Sequence, residues 1–163
     1  MEAARPAQTG DLSACARLLE QARHDVLALR GGPELLAACT CPPPGALDGR
    51  WLRDHWMGPD RALLVGTLSD VVVGLGAGHL TSRGTEQVGS LDCCYVESGA
   101  RGVGVGTAIL DALVQWFTAG GCVALDAPAL PGDRATKQLF ESQGLSARLL
   151  VLHRRLPRHP GRH

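Results

Sequence analysis

Apolar residues in the first part of the chain recur at the three- and four-residue spacing that is typical of an amphipathic helix. The pattern follows Thr9 and Asp11, either of which can cap a helix, and it stops before Gly31. A short apolar stretch at residues 3–7 predicts a strand before this helix. The apolar face of the helix consists of Leu12, Cys15, Leu18, Leu19, Ala22 and Val26.

Two shorter helices are predicted next, at residues 34–39 and 47–57. The stretch between them, Pro42-Pro43-Pro44-Gly45, is incompatible with a helix or a central strand because proline lacks a backbone N–H. We therefore expect a rigid loop between the two helices.

The middle of the chain is rich in strand-forming residues. Residues 62–68 and 71–80 are two apolar runs with Ser69-Asp70 between them, a pattern that predicts an antiparallel hairpin. A polar loop is predicted at residues 81–87, and a third strand at residues 88–96. These segments form a three-stranded run.

The C-terminal third alternates between strand and helix patterns. An amphipathic helix is predicted at residues 107–119, where Gly120-Gly121 end it. The apolar run at residues 122–127 lacks alternation, so we expect a strand inside a sheet, parallel to its neighbour. A helix from Asp133, as its cap, to Gly144 and a last strand at residues 147–156 complete the pattern.

Composition fits a single globular domain at residues 1–156, followed by a basic tail at residues 157–163 that we predict to be disordered. Hydrophobic residues make up 45% of the 163 residues and charged residues 20%, which excludes a disordered chain. The formal net charge of +0 argues against nucleic acid as the main partner.

The N-terminal sequence MEAARPAQTGDLS lacks the apolar core of a signal peptide. The longest apolar run, residues 71–80, is about half of the roughly 20 residues that a membrane span needs. The six cysteines lack paired C-x-x-C spacing and fit reduced thiols. We therefore expect a cytoplasmic protein without a metal site.

Three alternating glycines, Gly102, Gly104 and Gly106, lie between the apolar run that ends at Val96 and the predicted helix at residues 107–119. The start of a helix offers unpaired N–H groups and the positive end of the helix dipole. Glycines allow an anion to approach the backbone closely because they have no Cβ. The pattern predicts a site for a phosphate or pyrophosphate.

Two common phosphate motifs fit this loop poorly. A P-loop requires Lys followed by Ser or Thr after its last glycine, whereas Gly106 is followed by Thr107. The dinucleotide motif G-x-G-x-x-G fits at Gly102 and Gly104, and Asp126 lies at a suitable distance for its acid, but Thr107 occupies the third glycine position. A nucleotide-cofactor oxidoreductase is therefore kept as an alternative.

A third motif fits better. The segment Arg101-Gly-Val-Gly-Val-Gly106 resembles the R/Q-x-x-G-x-G/A signature of the GCN5-related N-acetyltransferases, the GNAT family. The downstream segment DRATKQLFESQGL, residues 133–145, resembles the family's N-x-x-A-x-x-x-Y-E-x-x-G-F segment. The resemblance is closest over residues 89–152.

The resemblance implies the α/β (α+β) acyl-CoA N-acyltransferase fold, a mixed central sheet of about six or seven strands with helices on both faces. It implies that the central strands separate just after Val96 and that the gap holds the pantetheine arm of acetyl-CoA or another acyl-CoA. The expected partners are that acyl-CoA and an amine acceptor, without nucleic acid or membrane, and a homodimer is left open. The expected CoA-binding residues are Tyr95, Val96, Arg101, Gly102, Val103, Gly104, Val105, Gly106, Thr107, Asp133 and Phe140.

Transfer of an acyl group to an amine needs a base for the amine proton and a polarised carbonyl. By resemblance, a backbone N–H near Val96 polarises the carbonyl. Strand alternation places Ser90, Asp92, Cys94 and Val96 on one face and Leu91, Cys93 and Tyr95 on the other. The family often carries its base on the first of these faces, where Asp92 is the only acid, so Asp92 is the predicted catalytic base. Glu97 and His79 are the further candidates.

Phe140 stands where the family usually has the tyrosine that protonates the departing thiolate, and phenylalanine has no proton to donate. Asp133 and Thr136 likewise replace the usual asparagine and alanine. An acyl-CoA-dependent N-acyltransferase is the leading hypothesis. A non-catalytic acyl-CoA sensor is the alternative that Phe140 favours.

Overall fold

Five strands form one mixed sheet in the order β1-β2-β3-β4-β5 in the computed structural model, which describes residues 1–39 and 45–156. Strands β1 to β4 are antiparallel to their neighbours, and β5 runs parallel to β4. The predicted mixed sheet is confirmed, with five strands in the described part of the chain rather than six or seven. The strands are β1 (Glu2–Pro6), β2 (Arg61–Leu68), β3 (Val71–Arg83), β4 (Glu86–Val96) and β5 (Ala124–Asp126).

Helices cover both faces of the sheet, as predicted. They are α1 (Leu12–Leu27), α2 (Gly32–Ala38), α3 (Gly49–Trp56), α4 (Val105–Ala119) and α5 (Arg134–Ser142). Helices α1 and α3 bury Leu18 and Leu52 against Leu75 of one face. Helices α4 and α5 bury Ile109 and Phe140 on the other face. No helix in the described part of the chain is long and apolar enough to cross a membrane.

Helix α4 lies unusually close to the sheet because glycines line the strands beneath it. A Cβ added to Gly76 of β3 would lie 2.3 Å from Cγ2 of Ile109. One added to Gly78 would lie 2.6 Å from Cζ of Phe117. These glycine positions of β3 therefore accept no side chain, and this close contact fixes the position of the helix.

The two hairpins of the sheet have tight turns. The predicted Ser69-Asp70 turn is confirmed, and both residues have positive φ angles, 47° and 67°, which suit the twist of a two-residue hairpin. The predicted polar loop at residues 81–87 is wrong, because Arg83 pairs with Glu86 and the strands continue to a turn at Gly84. These strand ends extend beyond the core, so they remain polar.

Two predictions for the C-terminal region are corrected. The run at residues 122–127 yields only the three-residue β5, which ends the sheet and leaves Val123 65% exposed. No strand forms at residues 147–156, where Leu149 to Leu152 are exposed. Ion pairs of Arg148 with Asp126 and of Arg155 with Glu34 hold this segment instead. An apolar run becomes a strand only where a neighbouring strand offers hydrogen-bond partners.

Some predictions lie outside the described residues. The proline loop at residues 42–44 and the basic tail at residues 157–163 belong to this group. The five cysteines within the described residues, Cys15, Cys39, Cys93, Cys94 and Cys122, form no disulfide.

Candidate functional site

The sheet opens between β4 and β5. The two strands pair only from Val88 to Ser90, with Ser90 opposite Asp126. Strand β4 then continues to Val96 with β3 as its neighbour on one side. The strands therefore separate after Ser90, six residues earlier than the predicted position at Val96. Strand β5 is short because Ala127 is followed by Pro128, which has no N–H to continue a ladder.

The glycine loop forms the N-terminus of α4 at the far end of β4. Gly104 is the N-cap with a left-handed φ of 93°, and none of the described side chains caps the helix. The helix hydrogen bonds begin at the N–H of Ala108, which donates to the Gly104 carbonyl, so the earlier N–H groups of the first turn are available to an anion. Val103 and Thr107 are exposed beside this turn. Val105 is buried, which leaves only its backbone for a ligand.

Arg101 fixes the start of the loop. Its Nε donates to the Val96 carbonyl at 2.8 Å, and one terminal nitrogen lies 3.0 Å from Asp25 of α1. The guanidinium also lies 5.4 Å from the ring centre of Tyr95, whose hydroxyl donates to Asp25 at 3.2 Å. Burial and the nearby Asp25 raise the pKa of Tyr95. The structure thus brings together Tyr95, Val96 and Arg101, three of the predicted site residues.

Asp25 joins this cluster from α1 and is not among the site residues predicted from the sequence. It lies 70 and 76 positions away from its partners Tyr95 and Arg101, and no local pattern distinguishes it from other helix acids. Glu97, a candidate base, is held by Arg17 of α1 at 2.9 Å.

A surface pocket of about 350 Å³ lies between α1 and the end of β4. Both Asp25 and Glu97 face it, together with their neighbours on the same two elements. The lining residues are Gln21, His24, Asp25, Tyr95, Glu97, Ser98 and Gly99.

Helix α5 lies beside the glycine loop. A Cβ on Gly106 would lie 3.2 Å from Leu139 of α5, so this glycine allows the two helices to approach. Asp133 caps α5 as predicted, because its carboxylate accepts from the N–H of Thr136 at 3.1 Å. Phe140 is 5% exposed and packs in the apolar cluster under α4.

Asp92 lies against His79 of the neighbouring strand. Both carboxylate oxygens are close to His79 Nδ1, at 3.0 and 2.9 Å. Strand alternation breaks at Asp92. Leu91 pairs with Gly78, and Cys93 pairs with the adjacent Ala77. Asp92 therefore has no partner of its own on β3 and is a bulge residue. The predicted grouping of Leu91 with Cys93 and Tyr95 is therefore wrong, and Leu91 packs on the α4 side with Cys94 and Val96.

Asp126 is held by two arginines. Its carboxylate accepts from Arg148 at 3.0 and 2.7 Å and also pairs with Arg83. The arginine hydrogen bonds, from Arg148 first, hold the pKa of Asp126 below its usual range. A carboxylate with these partners is poorly placed to bind a ribose, which argues against the oxidoreductase alternative.

Comparisons with known proteins agree with this geometry. Solved structures similar to this chain include a variant of the BH1408 protein of Bacillus halodurans, with a TM-score of 0.75, 18% identity and coverage of 94% of this chain and 98% of that one. Another is glucosamine-6-phosphate N-acetyltransferase from Arabidopsis thaliana, with a TM-score of 0.62, 16% identity and coverage of 96% and 99%. A third is an aminoglycoside acetyltransferase, meta-AAC0020, from an uncultured soil metagenomic sample in complex with sisomicin, with a TM-score of 0.62, 14% identity and coverage of 96% and 95%.

At these identities the structural neighbours establish the fold. A search of curated proteins found no match to the sequence. Residues 33–145 match the family described as the Acetyltransferase (GNAT) family, and this range includes β2 to β5, the glycine loop and α5. The chain therefore belongs to the GNAT acetyltransferase family.

Proposed function

We propose that this protein is an acyl-CoA-dependent N-acyltransferase that moves an acetyl group from acetyl-CoA to a primary amine. The observation that carries the proposal is the N-terminus of α4, which begins at Gly104 without a side-chain cap from the described residues. It lies at the end of β4, and among the described residues the outer edge of β4 has no strand partner beyond Ser90. The N–H groups of that helix end suit the pyrophosphate, and the open edge of β4 suits the amide groups of the pantetheine arm.

The transfer is direct. The neutral amine nitrogen attacks the thioester carbonyl carbon, the C–S bond breaks, and CoA leaves as a thiolate with the bonding electron pair. The amine proton passes to a base on the protein, and a backbone N–H of β4 near Val96 stabilises the carbonyl oxygen. The carboxylate of Asp92, the predicted base, lies within hydrogen-bond distance of His79, on the part of β4 that no longer pairs with β5.

The proposed CoA site combines the residues of the loop with α5. The backbone N–H groups from Gly102 to Thr107 would hold the pyrophosphate. Tyr95 and Val96 would border the pantetheine arm, and Arg101 would fix the loop through its bonds to Val96 and Asp25. Asp133, the N-cap of α5, and Phe140 within that helix would complete the wall, because Leu139 of the same helix lies beside Gly106.

The acceptor is proposed to be a small molecule or a protein amine. Two solved structures with the same fold are those of an aminoglycoside acetyltransferase and of a glucosamine-6-phosphate N-acetyltransferase. These names support an amine as the acceptor class. The pocket between α1 and the end of β4 is lined by Ser98 and Gly99, which shortly precede the loop in the chain, and its polar lining suits a polar acceptor.

The test measures binding and turnover on the same preparation. We expect CoA and acetyl-CoA to raise the thermal unfolding temperature while NAD does not, because the loop lacks the third glycine of a dinucleotide site. A panel of amines with acetyl-CoA should then release free CoA thiol. CoA binding without thiol release for any amine would favour the sensor, and stabilisation by NAD alone would contradict the proposal.

Phe140→Tyr tests the missing proton donor. We expect the new hydroxyl to raise kcat at neutral pH, by up to about 10²-fold, the lower end of what a general acid contributes. The matched control is Phe117→Tyr, which buries a hydroxyl in the same apolar cluster, under α4 and against the sheet. An unchanged kcat in a folded Phe140→Tyr protein would show that thiolate protonation is not limiting. Turnover at background with intact CoA binding would favour the sensor.

A further inference from the structure

The His79–Asp92 pair lies where the sheet opens. His79 is opposite Ser90, which is the last residue of β4 that also pairs with β5. Asp92 follows two residues later, on the part of β4 that has lost its β5 neighbour. The two side chains are 31% and 24% exposed, so a bound ligand can reach them.

The pair is on the face of the sheet opposite α4. On β3, Leu75 and Ala77 pack toward α1 and α3, and strand alternation places His79 on the same face. Gly78, which lies between Ala77 and His79, faces Phe117 of α4 instead. The bulge at Asp92 turns its carboxylate toward His79. An acyl-CoA held by the α4 N-terminus would therefore approach from one face, and an amine that reaches the pair would approach from the other.

Two other residues, one titratable and one charged, lie near the His79–Asp92 pair. Cys39, which follows α2, is close enough to Asp92 for the two charges to interact. Partial desolvation of its thiol, followed by the charge of Asp92, raises the pKa of Cys39. Arg61 of β2 is opposite His79 in the sheet register and is exposed. Within the described residues, Asp92 is the carboxylate that bonds to His79.

We infer that His79 accepts the proton from the attacking amine and that Asp92 positions it, an inference that rests on the proposed function. A carboxylate only accepts hydrogen bonds, so Nδ1 of the neutral ring carries its hydrogen toward Asp92. Nε2 then has a free lone pair. As the N–C bond forms and the C–S bond breaks, the amine proton passes to Nε2 and the CoA thiolate leaves with the electron pair.

The sequence predicted Asp92 as the base, whereas the inference makes His79 the base and Asp92 the residue that positions it. Imidazole is the side chain whose ordinary pKa is closest to neutral, whereas an aspartate is a weak base at neutral pH. Asp92 serves instead to fix the tautomer and to stabilise the imidazolium, the role that an acid takes beside a catalytic histidine.

The experiment compares His79→Gln, Asp92→Ala and the double variant. We expect His79→Gln to lower kcat by about 10²–10⁴-fold and to leave the CoA dissociation constant unchanged. The variant should also lose the rise of kcat/KM with pH that accompanies loss of the imidazole proton. Asp92→Ala should cost less, and the double variant should lose no more than His79→Gln, because the two residues act as one unit. His55→Gln is the control, because Nδ1 of His55 also makes a hydrogen bond, to the Trp51 carbonyl on α3. This variant should keep the kcat of the parent protein.

A larger loss in Asp92→Ala than in His79→Gln would make Asp92 the base and overturn the inference. Multiplying losses in the double variant would show that the two residues act independently and would overturn it as well. Long-range ¹⁵N–¹H spectra of the parent protein provide a measurement that needs no variant, and a neutral His79 with its hydrogen on Nε2 would also overturn it. Parental acetyl transfer by His79→Gln would overturn this inference alone. Absence of transfer by the parent protein would overturn the proposed function and this inference with it.

Discussion

Gly104→Val is expected to weaken CoA binding by tenfold or more, which corresponds to about 1.4 kcal/mol of binding free energy. Gly104 is the N-cap of α4, at φ 93°, and none of the described side chains caps this helix end. A branched side chain here would stand beside the N–H groups that we propose for the pyrophosphate. The three atoms nearest to an added Cβ all belong to the exposed side chain of Glu2, the first of them at 3.3 Å, and this flexible side chain can move away.

Gly121→Val is the matched control. Gly121 also has a left-handed φ, 78°, has no atom within 4 Å of an added Cβ, and follows the opposite end of the same helix. Both variants bear the backbone penalty of a β-branched residue at positive φ. Isothermal titration with CoA should show a loss for Gly104→Val only. Equal losses of CoA affinity in the two variants would show that the effect arises from helix destabilisation. A folded Gly104→Val protein with the CoA affinity of the parent would show that the loop does not bind the phosphates.

Gly106→Val would be a poorer probe of the same site. An added Cβ there contacts Leu139 of α5, so a loss of CoA affinity could arise from a displaced helix rather than from a blocked phosphate.

Gly76→Ala is expected to lower the free energy of unfolding by about 1–3 kcal/mol, the usual cost of overpacking a core. The added methyl group would lie 2.3 Å from Cγ2 of Ile109 and 2.9 Å from Cδ1 of Leu113. Both side chains are fully buried in the core, so they can move only by displacing their neighbours. Helix α4 would have to move away from the sheet, and the glycine loop at its N-terminus would move with it.

Gly58→Ala is the control for this substitution, because nothing lies within 4 Å of a Cβ at Gly58 and its φ is not left-handed. Its unfolding free energy should stay within about 0.5 kcal/mol of the parent, as is usual for surface changes. Urea unfolding followed by circular dichroism measures both. Parental stability of Gly76→Ala would show that α4 does not pack against β3 as closely as described.

Elements with local signals could be predicted from the sequence. The hairpin at Ser69-Asp70, helix α4 after its glycines and the Asp133 cap of α5 each depend on residues within a few positions of one another. The GNAT motif at Arg101 to Gly106 is of the same kind. Spacing along the chain determines these features because turn geometry, capping and amphipathicity are short-range.

Strand predictions failed where strand formation depended on pairing with a neighbouring strand. The apolar run at residues 147–156 has the composition of a strand but pairs with no strand in the described part of the chain, and residues 122–127 formed only a three-residue strand at the end of the sheet. Alternation failed at Asp92 because pairing with β3 leaves one extra residue in β4. A ladder depends on two segments, and the pattern of one segment contains only half of that information.

The sequence by itself determined the family motif, the helix that follows it and the set of candidate residues. Only the tertiary structure decided which of these residues meet. Asp25 of α1 joins Tyr95 and Arg101, and a bulge brings the carboxylate of Asp92 to the imidazole of His79. The physical reason is that these contacts join segments 13 to 76 residues apart, whose distance in space is set by how the helices and strands pack.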